Sequence, residues 1–201
     1  MRLDRSGWPF LAVFGAIAVI LVGPMPLLAG LFGVLFFFTL NFFRDPERAP
    51  PEIQGSLLSP ADGRIIRADA SRISIFMNVF DVHVCRSPVA GRVISVVHEP
   101  GRFLAAMKNE ASEQNERTTI VVKPDNGAPV RFVLVAGLIA RRIVCRVVEG
   151  QTLGPAGRVG IIRFGSRVDL DLPPGGAPAV RIGDRVVAGE TVIAKRFPVP
   201  A

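Results

Sequence analysis

A glycine–serine pair, Gly165–Ser166, stands between two apolar, β-like runs in the stretch GIIRFGSRVDL (160–170). A serine hydroxyl that follows a glycine can attack the glycine carbonyl, and this attack begins a self-cleavage that leaves a pyruvoyl group at the new N-terminus. Glycine favours the reaction because it tolerates the strained backbone that brings hydroxyl and carbonyl together. Gly-Ser is also an ordinary turn dipeptide, so the neighbouring segments decide its meaning.

Four other segments stand beside the pair in chain order: LLSPADGRI (57–65), NVFDVHVCRSPVAG (78–91), HEPGRFLAAMKNEASEQNER (98–117) and AGLIARRIVCRV (136–147). Together with the Gly-Ser context, they closely resemble the short-form phosphatidylserine decarboxylase proenzymes. The resemblance extends from about residue 44 to residue 197. It implies an enzyme that matures by cutting itself between Gly165 and Ser166.

The resemblance assigns the maturation chemistry to Asp62, His83 and Ser166. Ser166 is the nucleophile, and it needs a base within hydrogen-bond reach because a serine hydroxyl is weakly nucleophilic at neutral pH. Histidine suits this task because its pKa lies near the working pH, so His83 is the expected base. Asp62 is expected to orient the imidazole and to stabilise its protonated form.

The same resemblance implies the products and the catalytic cycle. Cleavage gives a β chain (1–165) and an α chain (166–201) that stay associated, with a covalent pyruvoyl group made from Ser166. This group forms a Schiff base with the amine of phosphatidylserine and draws off electron density as CO2 leaves, so that phosphatidylethanolamine is released. His83 is the candidate proton donor, no metal is expected, and an ether-linked archaetidylserine remains an alternative substrate.

One position departs from the family pattern. Longer members often carry a second histidine three residues after the first, and Arg86 occupies that place here. The role of that histidine does not transfer, although an arginine there is suited to binding phosphate. His98, in VVHEPG, is equally compatible with lining a substrate pocket and with a simple turn contact.

The elements that position these residues are mainly β. Short runs of Val and Ile, broken by Gly, Pro and Asp, predict strands at 63–68, 72–79, 91–97, 118–123, 130–138, 142–149, 158–164, 167–172 and 191–196. The composition of 103–117 predicts one short helix. SPADGRII (59–66) and SPVAGRVI (87–94) repeat one pattern 28 residues apart. A compact β-sandwich or hybrid-barrel domain is therefore expected.

The stretch VRIGDRVVAGETVIAK (180–195) has the rhythm of a lipoyl or biotinyl carrier, which supplies an alternative function. A carrier needs a lysine at the hairpin tip, but the tip Val187-Ala188-Gly189-Glu190 has none and Lys195 lies beyond it. A phosphocarrier would need a suitably placed pair of histidines, but the two histidines of the chain, His83 and His98, stand in different sequence surroundings. A basic membrane-anchored scaffold without chemistry is a third interpretation.

Residues 8–43 contain no Asp, Glu, Lys or Arg. As one helix, these 36 residues would measure about 54 Å, against a bilayer core of about 30 Å. Gly23, Pro24 and Pro26 divide them into two arms, which predicts a membrane-anchoring segment at 1–43 ahead of a decarboxylase domain at 44–201. The arms are compatible with a hairpin broken at Gly23–Pro26, with a re-entrant pair, or with one span and an interfacial helix. A cleaved signal peptide is the alternative to retention in the membrane. Arginines flank both ends, so the catalytic domain is expected on the cytoplasmic face of the cell membrane.

The charge of the chain agrees with a lipid surface as partner. The net charge is +7, and Arg44, Arg48, Arg141, Arg142 and Arg163 are candidates to hold the enzyme against an anionic leaflet. A nucleic-acid partner is not expected, because eight of the fourteen phenylalanines precede residue 44 and the remaining domain lacks interleaved aromatic and basic residues. The two cysteines, Cys85 and Cys145, fit a reducing compartment, and a homo-oligomer is compatible with the sequence.

Overall fold

The chain is divided into two units, Met1–Glu47 and Arg48–Ala201. The computed structural model describes residues 2–53, 55–102, 104, 107, 111–137, 142–163, 166–173 and 176–195. The boundary predicted after residue 43 lies a few residues before this division. All residues assigned to catalysis belong to the second unit.

The first unit is built on two apolar helices, α1 (Trp8–Leu21) and α2 (Pro26–Phe42), with a two-stranded sheet of β1 (Arg2–Leu3) and β2 (Arg44–Asp45). Asp4 begins the helical part, because its carboxylate accepts a hydrogen bond from the Ser6 N–H at 2.9 Å. The helices separate at the predicted Gly-Pro-Met-Pro break, where proline cannot continue a preceding helix but suits the first position of the next one.

Both helices of the first unit present large apolar side chains to the outside. Leu27 is 92% exposed, Val19 is 75% exposed and Ile20 is 70% exposed. The helices contain 14 and 17 residues. Throughout the described residues, no helix combines the length and the apolarity needed to cross a membrane. The structure therefore does not support the expected membrane helices.

The second unit is mainly β, as predicted. Its strands are β3 (Ser56–Leu58), β4 (Gly63–Ala68), β5 (Arg72–Met77), β6 (Val84–Arg86), β7 (Gly91–Glu99), β8 (Arg117–Lys123), β9 (Val130–Ala136), β10 (Ile143–Cys145), β11 (Thr152–Leu153), β12 (Arg158–Ile162), β13 (Ser166–Asp171), β14 (Ala177–Pro178), β15 (Arg185–Val186) and β16 (Val192–Lys195). Among the described residues they form an eight-stranded sheet in the order β11-β7-β8-β9-β13-β5-β4-β15, and two three-stranded sheets, β10-β12-β6 and β14-β16-β3. One hydrophobic core is shared by all three sheets.

The predicted strands agree with observed ones to within a few residues, and the structure contains a short helix within the predicted range 103–117, of which residues 103, 105, 106 and 108–110 lie outside the described residues. The described residues place helix α3 at Ala111–Gln114 only, and Arg117 already begins β8. Arg117 is the register partner of Glu99 in β7, and their side chains form an ion pair at 2.6 Å. Cross-strand pairing therefore overrides the helical composition at the C-terminal end of 103–117, where Arg117 belongs to a strand.

The sequence repeat corresponds to a structural duplication. A first copy (β3, β4 and β5, with β14, β15 and β16) matches a second copy (β6, β7 and β8, with β10, β11 and β12) in pairing and order. Gly63 and Gly91, 28 residues apart, have φ values of 152° and 153°. A Cβ at either glycine would lie within 2.4 Å of a carbonyl oxygen on the neighbouring strand, so both positions require glycine.

The two copies also exchange hydrogen bonds symmetrically. The Leu58 N–H donates to the Pro88 carbonyl at 3.0 Å, and the Arg86 N–H donates to the Pro60 carbonyl at 2.9 Å. The two donors, Leu58 and Arg86, are 28 positions apart, and so are the two acceptors, Pro60 and Pro88, with the copies exchanged. The two SPxxGR turns are thus related by an approximate two-fold axis that passes between them.

Candidate active site

Ser166 occupies the first position of β13, in the middle of the eight-stranded sheet. Its register partners are Met77 at the end of β5 and Ala136 at the end of β9. Side chains alternate along a strand, so Ser166 shares its face with Val168 and Leu170 of the hydrophobic core. The side chain is fully buried, and its hydroxyl donates to the Met77 sulfur at 3.2 Å.

The segment that leads into Ser166 is tied to the residue expected to act as the base. At the end of β12, the Ile162 N–H donates to the His83 carbonyl at 3.4 Å. Ser166 follows Ile162 by four residues, so this hydrogen bond lies close in sequence to the expected cleavage point. Gly165 lies outside the described residues, as does Arg141.

His83 is completely buried immediately before β6. Its Nδ1 lies 3.0 Å from the Asp81 carbonyl oxygen. A carbonyl can only accept a hydrogen bond, so in the neutral imidazole Nδ1 carries the proton and Nε2 holds the lone pair. This is the tautomer that a general base requires at Nε2.

Asp81, which the sequence reasoning missed, fixes the turn that carries His83. Its carboxylate accepts from the Asn78 N–H at 2.9 Å and from Arg185 at 3.0 Å, and its own N–H donates to the Asn78 carbonyl at 3.0 Å. Asp81 therefore acts on His83 through its backbone rather than its carboxylate. The signal was present as the acidic residue two positions before the histidine in FDVHV.

Asp62 lies in the turn between β3 and β4 and accepts hydrogen bonds from two groups. One guanidinium nitrogen of Arg48 lies 2.9 and 2.8 Å from its two oxygens, and the Ala188 N–H donates to it at 2.7 Å. Burial raises the pKa of Asp62, although the Ala188 hydrogen bond and Arg48 oppose the rise. The turn that carries Asp62 is joined to β6 by a backbone hydrogen bond from the Arg86 N–H to the Pro60 carbonyl at 2.9 Å, so this turn lies beside the strand that follows His83.

The described hydrogen bonds of Asp62 and of the His83 imidazole are made with other groups, and the assignment of Asp62, His83 and Ser166 to self-cleavage stays a prediction. The hydrogen bonds of Asp62 come from Arg48 and Ala188, whereas the Asp81 carbonyl contacts the imidazole of His83. The orienting role of Asp62 stays a prediction. The proposed lipid contact of Arg48 is wrong, because its side chain is only 11% exposed and is committed to Asp62.

The opposite face of β13 carries a buried ionic network. Arg167, 1% exposed, donates to Asp169 at 2.6 Å and to Ser74 at 2.9 Å. Ser112 of α3 donates to the other oxygen of Asp169 at 2.7 Å, so this network attaches the short helix to the strand. Buried charges persist only where partners compensate them, so the network fixes the strand that begins with Ser166.

The remaining candidate residues have structural partners. Arg86 is 5% exposed and donates to the Ala156 carbonyl at 3.1 Å. His98 contacts the hydroxyl of its cross-strand neighbour Thr118 at 3.1 Å, which places it in a strand pair rather than in a turn. Both cysteines are free, and burial raises the pKa of each thiol.

A carrier-domain lysine and a metal centre are the two other kinds of site that the sequence raises. At the tip of 187–190, Ala188 directs its N–H to Asp62, and Lys195 lies in β16 opposite Ser56, so the geometry does not present a lysine as a carrier domain does. Within the described residues, no cluster of three His, Cys, Asp or Glu side chains could hold a metal ion.

Comparison with known proteins gives one family. A model of the phosphatidylserine decarboxylase family matches residues 35–194. Three similar proteins, each named phosphatidylserine decarboxylase proenzyme, come from Pelobacter propionicus (43% identical, 94% of each chain covered), Desulfotalea psychrophila (44%, 94% of each chain) and Nitratidesulfovibrio vulgaris (47%, 85% of this chain and 83% of the relative).

Proposed function

The chain belongs to the phosphatidylserine decarboxylase family, and from this membership we propose that it converts phosphatidylserine to phosphatidylethanolamine and CO2 after cutting itself between Gly165 and Ser166. The observation that carries the proposal is the placement of Ser166. It is buried at the start of the central strand β13, and the segment before it is hydrogen-bonded to the backbone of His83.

Maturation begins when His83 Nε2 takes the proton of the Ser166 hydroxyl. The oxygen then adds to the Gly165 carbonyl, His83 passes the proton to the Ser166 nitrogen as the peptide C–N bond breaks, and an ester joins the two residues. Loss of the Ser166 α-proton breaks the Cβ–O bond, which frees Gly165 as a carboxylate and leaves dehydroalanine. Water replaces the nitrogen of that residue, so ammonia leaves and the pyruvoyl group remains.

The surroundings of Ser166 fit a pyruvoyl group. The hydroxyl donates only to a thioether, which is a weak acceptor, so its removal strands no strongly polar buried group. When formed, the group supplies the electron sink for decarboxylation. Met77 and the neighbouring core side chains give this group an apolar setting, and the protonated form of His83 returns a proton to the carbon that has lost its carboxylate.

The α chain stays attached because it supplies strands to two sheets. β13 lies between β5 and β9, β15 pairs with β4, and β16 pairs with β3. If the α chain left, the four partner strands of the β chain (β5, β9, β4 and β3) would lose backbone hydrogen bonds, and buried backbone groups rarely remain unpaired. Cutting one peptide bond before β13 therefore leaves the fold intact.

We also propose that the first unit binds the cytoplasmic surface of the cell membrane. Its helices expose side chains such as Val19 and Leu27, and Arg2, Arg5 and Arg44 flank the apolar stretch. The substrate stays in the bilayer because each buried methylene contributes about 0.8 kcal/mol. An enzyme that acts on its headgroup must therefore work at that surface.

An activity assay tests the proposed reaction. Purified protein is mixed with vesicles that contain carboxyl-labelled phosphatidylserine, and labelled CO2 and phosphatidylethanolamine are measured. The proposal predicts equal amounts of both products, and neither with Ser166→Ala. A parallel assay with a diether serine lipid distinguishes the ester and ether substrates. Failure of both lipids to react with a fully cleaved protein would contradict the proposal.

A further inference from the structure

The two structural copies differ in the polar contacts made at one turn. The turn at 187–190, in the first copy, corresponds to the turn at 154–157 in the second: the Glu190 N–H donates to Val187 at 3.2 Å, and the Gly157 N–H donates to Gly154 at 3.0 Å. The third residue of each turn has a positive φ, 74° at Gly189 and 52° at Ala156. Position 188 thus corresponds to position 155, and position 62 corresponds to position 90.

In the first copy, these positions hold a carboxylate and a donor, and Asp62 accepts the Ala188 N–H at 2.7 Å. In the second copy they are Ala90, which has no polar side chain, and Pro155, which has no N–H. The second copy forms the same strands and turn without this bond. The contact is therefore not required for folding of such a copy.

Arg48 adds a second contact that the other copy lacks. It is the first residue of the second unit, and it places one nitrogen 2.9 and 2.8 Å from the two oxygens of Asp62. Another nitrogen lies 3.9 Å from Glu190, whose carboxylate also accepts the Ala49 N–H at 3.3 Å. The largely buried carboxylate of Asp62 thus accepts hydrogen bonds from Arg48 in the linker and from the Ala188 N–H in the future α chain.

We propose that Arg48 and the Ala188 N–H are positioning groups for self-cleavage, which hold Asp62 ionised and correctly oriented beside the 81–86 segment that carries His83. This inference rests on the proposed function. It adds that the linker after the first unit and the turn at 187–190 both control maturation, although neither touches the scissile bond.

The proposal has a consequence for pH. The charged and titratable groups around Asp62 are Arg48 from the linker, Glu190 from the turn, Asp81 before His83 and Cys85 in β6. Burial raises the pKa of Asp62, and Arg48 and the Ala188 N–H lower it. Removal of either donor raises this pKa further, so cleavage is lost at a higher pH than in the parent and returns as the pH increases.

Self-cleavage of full-length chains made by cell-free synthesis tests the proposal. The chains are transferred to buffers of different pH, and the intact and 1–165 bands are followed with time. In both Arg48→Met and Ala188→Pro, cleavage should be lost at a higher pH than in the parent. On the acid side of the pH profile, the rate at a given pH should fall about tenfold for each unit by which the pKa of Asp62 rises. Arg48→Lys, which keeps the charge, should retain most of the parent rate. Proline is favoured at the second position of such turns and occurs naturally at 155, so Ala188→Pro preserves the turn.

Two control variants should match the parent: Pro155→Ala in the equivalent turn, and Arg64→Met at an exposed arginine of β4. Thermal unfolding of each variant in the uncleavable Ser166→Ala chain identifies losses of cleavage that are caused by unfolding alone. If Arg48→Met is unfolded, Arg48→Lys and Ala188→Pro show whether the two donors to Asp62 control cleavage. Parent-like pH profiles of Arg48→Met and Ala188→Pro, with Asp62→Asn uncut, would overturn this proposal and leave the proposed function standing. Cleavage of Ser166→Ala would instead overturn the proposed function.

Discussion

The hydroxyl of Ser166 donates to the sulfur of Met77 at 3.2 Å, and both side chains are fully buried. A thioether accepts hydrogen bonds weakly, so it holds the hydroxyl without competing strongly with a basic nitrogen. Rotation of the serine side chain away from the sulfur therefore costs little. The uncut chain thus stores its nucleophile in an apolar setting until the base removes the proton.

Substitutions of Met77 separate its packing from its sulfur. Met77→Leu conserves the volume, so we expect cleavage at close to the parent rate and a loss of unfolding free energy below about 1.5 kcal/mol. Met77→Ala leaves a cavity beside Ser166, so we expect a loss of about 2–5 kcal/mol and slower cleavage. Denaturant unfolding in the Ser166→Ala chain and the time course of cleavage measure the two effects. A stable but uncut Met77→Leu chain would show that the sulfur itself is required.

Substitutions of His83 and Asp62 separate maturation from decarboxylation. His83→Ala and Asp62→Ala should both accumulate the uncut chain, because one removes the base and the other its nearby negative charge. Mature enzyme assembled from separate 1–165 and 166–201 chains, with the pyruvoyl group installed, allows the second step to be measured alone. There, Asp62→Ala should retain much more decarboxylase activity than His83→Ala. Parent-like activity of both would remove His83 from the catalytic step.

The sequence predicted the longer strands well, because alternating Val and Ile runs report on a half-buried strand. It did not predict short strands such as β11 and β15, which contain two residues each and are too short to show a period. The duplication was visible only as the SPxxGR repeat. Its matching turns at 154–157 and 187–190 have dissimilar sequences, so three-dimensional pairing was needed to relate them.

The sequence identified candidate site residues, but it did not predict the groups to which Asp62 is hydrogen-bonded. The His83 backbone accepts a hydrogen bond from Ile162, four residues before Ser166, and the catalytic roles of His83 and Ser166 stay predictions. Arg48, expected at the lipid surface, instead binds Asp62 from 14 residues away, and the Ala188 N–H binds it from 126 residues away. A single sequence carries no signal for such long-range hydrogen bonds to backbone or linker groups. Local motifs therefore identify chemical groups, and the fold decides which of them meet.

Deletion of residues 1–43 tests the role of the first unit. We expect the truncated protein to leave the membrane fraction and to cleave itself at the parent rate, because Asp62, His83 and Ser166 all belong to the second unit. Sedimentation with vesicles and gel analysis measure the two properties. A folded but permanently uncut product would show that the apolar helices take part in maturation.

Thiol labelling tests the burial of the two cysteines. Because burial raises the pKa of Cys85 and Cys145, we expect little thiolate and slow alkylation of both in the folded protein at pH 8. Cys145 should react before Cys85, which is completely buried. The urea-unfolded chain provides the control and should react rapidly at both positions. Rapid labelling of folded Cys85 would contradict its position in the core.

The most direct test of the account is the mass of the purified protein under denaturing conditions. Self-cleavage at Gly165–Ser166 predicts two masses, one for 1–165 and one for a 36-residue fragment, 166–201, that is one ammonia lighter than a serine-started peptide. The Ser166→Ala chain should give a single mass for all 201 residues. An intact parent chain, or the same cut in Ser166→Ala, would contradict the account.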